Sequence, residues 1–104
     1  MDGQSTEGWV VSVLIEVDRA PQRRFFAVAQ PDRARAEWSA IDCAMLEGPL
    51  VSSPVNGLEP VEAVAPLAAA ALKSTGVTPG RAKPLGPRWP RRLIGSPTVE
   101  RQVD

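Results

Sequence analysis

The stretch Trp9-Val10-Val11-Ser12-Val13-Leu14-Ile15-Glu16-Val17 is the clearest structural signal in the chain. Its alternate positions Trp9, Val11, Val13, Ile15 and Val17 are all apolar and largely β-branched, a composition that fits a pleated surface. The intervening Val10, Ser12, Leu14 and Glu16 are half apolar as well. A strand with one apolar face and one half-apolar face belongs in the middle of a sheet, with something covering part of its second side.

Outward from this strand, Asp18-Arg19-Ala20-Pro21-Gln22 reads as a five-residue turn, since Asp and Pro both favour turns. Arg23 to Ala29, carrying Phe25, Phe26, Ala27 and Val28, then returns as an antiparallel partner. Pro31 and Asp32 mark a helix start, because Pro tolerates the first turn and a carboxylate there meets the positive end of the helix dipole. At 100° per residue, Ala34, Trp38, Ile41 and Met45 fall within about 60° of one another, which predicts a narrow core-facing stripe. Gly48 and Pro49 end the helix. Its opposite face, Ala36, Ser39, Ala40 and Cys43, carries no charge. Either these small residues meet water, or another segment, the C-terminal arm or a partner, packs closely on them.

In residues 50–65, Asn56-Gly57 is a two-residue turn signal, with Val55 facing Leu58 as a hydrogen-bonded pair. The next such pair would set Ser53 against Pro60, which has no N–H, so a regular hairpin ends within a residue or so. An irregular loop is expected, followed by a short strand from Val61 to Ala65. Pro66 inside a helix would cost about 3 kcal/mol, so the second helix is predicted over Pro66–Ser74, with Gly76 just past its end and Leu67, Ala71 and Leu72 packing it. The expected fold is α+β: a small antiparallel sheet of about three strands in the order β-β-α-β-α, one amphipathic helix on it, and an extended Pro/Arg-rich C-terminal arm. Residues 1–8 read as a flexible leader, 9–76 as a single domain and 77–104 as the arm.

Composition narrows the chemistry. The 104 residues include one Cys, no His and no Tyr, and twelve basic side chains balance twelve acidic ones. A Ser-His-Asp or Cys-His arrangement cannot be built, nor a structural zinc site with four Cys/His ligands. No metal or cofactor is expected. The longest apolar run, Val64 to Leu72, is interrupted by Pro66 and falls short of the roughly 20 residues a membrane helix needs. A single thiol without a signal peptide fits a reducing cytoplasm. Plentiful Ala, Arg, Val and Pro with few Lys suggest GC-rich, bacterial-like coding. The neutral total hides a segregation: residues 1–62 carry a net charge of −5 and residues 63–104 a net charge of +5. Five of the eleven Pro fall within residues 76–97.

Candidate sites are few. Cys43 is the one intrinsic nucleophile, placed mid-helix without a His or helix N-terminus to activate it. Glu16 with Asp18, and Glu59 with Glu62, are paired carboxylates that could do acid–base work or hold a hard cation, but they lack supporting ligands at a recognisable spacing. A small carboxylate-only enzyme would need a concave site joining at least two of these four.

Lys73 to Arg92 is more distinctive. It holds six basic residues and no acid, with Pro84, Pro87 and Pro90 at the three-residue period of a polyproline II helix. The segment could be a basic strap crossing the acidic body of its own or a neighbouring subunit, anchored by Trp89 or Leu93-Ile94. It also fits a Pro-x-x-Pro-x-Arg ligand for an aromatic groove. A third reading has arginines gripping phosphates while Trp89 stacks on a base. The expectation from sequence is a non-catalytic binding or assembly module that forms a homodimer or docks a protein partner. Its contact surfaces would be the arm, through Arg88, Trp89, Arg91 and Arg92, and an uncovered sheet face. Nucleic-acid binding through residues 73–92 is the alternative.

Overall fold

The computed structural model describes residues 6–96. Seven elements follow in order: β1 (Gly8–Val17), β2 (Ala20–Val28), α1 (Arg33–Ala44), β3 (Val61–Leu67), α2 (Ala69–Thr75), β4 (Ala82–Gly86) and α3 (Arg91–Ile94). The strands form one antiparallel sheet in the order β3-β1-β2-β4, an α+β architecture as expected. The sheet has four strands rather than three, because residues 82–86, from within the predicted arm, add an edge strand beside β2.

The hairpin is tighter than predicted. Val17 pairs with Ala20 across a two-residue turn in which Asp18 and Arg19 both have positive φ, 53° and 67°. Such a turn matches the right-handed twist of the flanking strands, so it extends the ladder by three residues at the start of β2. Pro21 is accommodated because its partner is Glu16, whose N–H points the other way and donates to the Pro49 carbonyl at 2.8 Å. The pair Glu16–Pro21 is one where neither residue owes the other a hydrogen bond, so the missing N–H costs nothing.

Asp32 caps α1, its side chain accepting from the Arg35 N–H at 3.2 Å. The helix stops at Ala44, four residues before Gly48. The predicted buried stripe is inverted. Ala36, Ala40 and Ala44 are completely buried, with Cys43 packed beside them, whereas Trp38 and Met45 are 67% and 54% exposed. The sheet supplies the reason. Its facing side already presents Val11, Val13, Ile15, Phe26 and Val28, so the helix that fits closest brings small residues to meet large ones.

In the loop, Val55 and Leu58 exchange hydrogen bonds of 3.0 and 2.9 Å around Asn56-Gly57, and no ladder extends from them. β3 runs further than predicted, through Pro66 and Leu67, with Pro66 opposite Trp9. As an edge strand, β3 can hold a proline there. α2 consequently starts at Ala69 and not Pro66, ending at Gly76 in the left-handed region (φ 75°).

The second sheet face is not left open. Val10, Phe25, Ala27, Leu67 and Leu72 form a second core, closed by Ala71 and Val77 on one side and by Leu85, Trp89, Leu93 and Ile94 on the other. The half-apolar character of β1's second face is thereby met from within the chain.

Candidate functional site

Two surfaces stand out once both sheet faces are covered. The first is the outward side of α1. Because Ala36, Ala40 and Ala44 turn inward, helical geometry sends Ala34, Trp38, Ile41 and Met45 to the opposite side. Trp38 and Met45 are exposed, Ala34 likewise, and Ile41 is half-buried. Leu46, just past the helix, is 86% exposed as well and sits at the cleft it shares with Ser39, Asp42 and Cys43. Arg35 and Asp42 border the stripe on one side. On the other, Arg33 meets Glu37 at 3.6 Å.

This surface was hidden from sequence reasoning by the assumption that the bulkier stripe lies inside. The signal that could have found it was on view: a helix face of Ala, Ser, Ala and Cys without charge suits close approach to a bulky sheet better than it suits water.

The second surface is the C-terminal segment. Trp89 is half-buried: its ring meets Phe25 edge-on with centroids 5.6 Å apart, and its Nε1–H donates to the Gly95 carbonyl at 2.6 Å. The Arg23 guanidinium also lies over the Phe25 ring, 4.7 Å from its centroid, held below its ordinary pKa by burial, with Glu62 opposing that shift. Arg88, Arg91 and Arg92 are exposed. The four residues singled out from sequence therefore divide, with Trp89 turned inward and the three arginines outward. Among the described residues no salt bridge ties these arginines to the acidic body; the ion pairs are Arg24–Glu47 and Arg33–Glu37. What holds the segment down is the β2–β4 ladder and apolar contact.

Cys43 is half-buried against the sheet-facing core, and burial pushes its thiol pKa up, with the Glu47 charge adding to the effect. It is a packing residue held as the neutral thiol. Glu16 and Asp18 sit exposed at the hairpin end, Glu59 is exposed in the loop, and Glu62 is half-buried on β3. One cleft of about 390 Å³ lies beside α2, with Glu7, Leu72 and Lys73 on its wall; another of about 370 Å³ lies between α1 and β4, lined by Ser39, Cys43 and Arg81. None of the four carboxylates lines either cleft. Among the described residues, no three of His, Cys, Asp and Glu gather as a cation site, and no helix is long and apolar enough to cross a membrane.

The chain matches no protein-family model, no curated protein and no solved structure. Any functional reading rests on the surfaces just described.

Proposed function

We propose that this chain is a small non-catalytic binding or assembly module that self-associates or docks a protein partner through the outward side of α1. A single observation carries this reading: Trp38, Met45 and Leu46, the exposed large hydrophobic side chains among the described residues, belong to one helix and the turn that follows it. Hydrophobic residues scattered singly on a surface need no explanation, whereas a contiguous stripe rimmed by charge marks an interaction site. Trp and Met are also among the residues enriched where proteins meet. A cytoplasmic location accords with the single thiol.

A second reading, nucleic-acid binding through residues 73–92, is favoured by the exposure of Lys73, Arg81, Lys83, Arg88, Arg91 and Arg92. It lacks the stacking group it relied on, since the Trp89 ring is engaged with Phe25.

Photo-cross-linking tests both. A benzophenone amino acid replaces Trp38 in one full-length variant and Arg91 in another, each irradiated in cells. A protein adduct from position 38, with this chain or another, supports the proposal. No adduct from position 38, together with a nuclease-sensitive adduct from position 91, replaces it with the nucleic-acid reading.

A further inference from the structure

We infer that the partner on the α1 stripe is a second copy of this chain, and that the two helices lie antiparallel about a two-fold axis near Trp38. The inference rests on the stripe being a docking surface and adds what occupies it.

The argument is one of self-complementarity. Arg35 and Asp42 are seven residues apart, so they project within about 20° of each other, along the same border of the stripe. Trp38 lies between them. A two-fold axis perpendicular to a pair of antiparallel helices brings each border against the same border of the partner. With the axis beside Trp38, Arg35 of each copy faces Asp42 of the other, and both ion pairs form at once. A parallel pairing, whose two-fold axis runs along the helices, would instead set this border against the opposite one, which carries Arg33 and Glu37. The reciprocal Arg35–Asp42 pairs could not then form, and Asp42 would lack a basic partner.

Shape agrees with charge. In the antiparallel arrangement the two Trp38 side chains meet near the axis. Ala34, the small end of the stripe, comes opposite the large end formed by Ile41 and Met45. Small meets large at both ends, as interdigitating helices require. The other border does not oppose this register, because Arg33 and Glu37 are already paired within one helix.

The strength follows from size. α1 has 12 residues, about 18 Å of helix, so the stripe with Leu46 buries less than the ~1,600 Å² of a standard interface. The dimer is therefore weak and sensitive to concentration.

Charge reversal at Arg35 and Asp42 provides the test, since both are exposed and their replacement leaves the core intact. Sedimentation equilibrium of the full chain is expected to show a monomer–dimer equilibrium. Arg35→Asp alone and Asp42→Arg alone should each weaken it by roughly tenfold or more, and Trp38→Ser by about a hundredfold. An equimolar mixture of Arg35→Asp and Asp42→Arg should regain a dimer, because each copy then supplies the charges the other lacks; the Arg35→Asp/Asp42→Arg double variant should regain it too. Far-UV circular dichroism checks that every variant is folded. A wild-type chain that stays monomeric into the millimolar range overturns the inference, as does a dimer indifferent to all these changes. Neither result removes the docking surface if position 38 still cross-links a different protein; absence of any adduct from that position removes both.

Discussion

Arg19 shows how one residue sets the local geometry at a cost. With Asp18 it forms the two-residue turn, and at φ 67° its side chain occupies a backbone region that Gly enters freely. Asp tolerates that region better than Arg, so the strain falls mainly on position 19. The turn persists because the β1–β2 ladder it closes is continuous from Trp9–Val28 to Val17–Ala20. Arg19→Gly is therefore expected to stabilise the protein by about 1 kcal/mol, read as a higher urea midpoint at unchanged slope. An unchanged or lower midpoint would show that the arginine side chain contributes more than its backbone costs.

Helix α1 is where local pattern and tertiary context part. Its bulky residues are spaced as a core stripe, yet the completely buried residues are alanines. Ala40, at the centre of the contact, has no room for a larger side chain, so Ala40→Leu is expected to destabilise by about 1–3 kcal/mol. Trp38→Ser, on the water side, should change monomer stability by no more than about 0.5 kcal/mol. Chemical denaturation of both variants, in dilute solution where dimerisation plays no part, would reverse the assigned faces if Trp38→Ser proved the costlier.

For the molecule as a whole, the C-terminal segment completes the core and is not an appendage to it. β4 closes the β2 side of the sheet, and Trp89, Leu93 and Ile94 join the cluster around Phe25. Full burial of such a side chain is worth roughly 1.5–3 kcal/mol, and these partly buried ones contribute a fraction of that each. Together with the β4 ladder that is still a sizeable share of the total stability of about 5–15 kcal/mol expected of a domain. A chain ending at Gly80 should therefore melt at least about 10 °C below the full-length protein, or fail to melt cooperatively. Thermal circular dichroism decides it; an unchanged transition would mean that residues 81–96 rest on the domain without supporting it. The attachment described is the β2–β4 ladder and apolar contact; among the described residues the ion pairs do not join the C-terminal arginines to the acidic body.

Features governed by neighbours in the chain were legible from the residues alone. Alternation across Trp9–Val17 identified the central strand, Asp32 marked the start of α1, and Asn56-Gly57 specified its turn, with Pro60 limiting what could extend from it. Each depends on backbone preference or side-chain period, which act over a few residues. The inward face of α1 and the destination of residues 82–94 were not legible, and neither was the candidate docking surface they leave behind. The helix pattern offers two apolar faces, and the bulk of Val11, Ile15 and Phe26 across the gap selects the smaller one. A Pro- and Arg-rich segment can lie extended in water or complete a sheet, and the open edge of β2 beside an uncovered Phe25 selects the second. Packing complementarity makes both choices, and it exists only once distant parts of the chain have met.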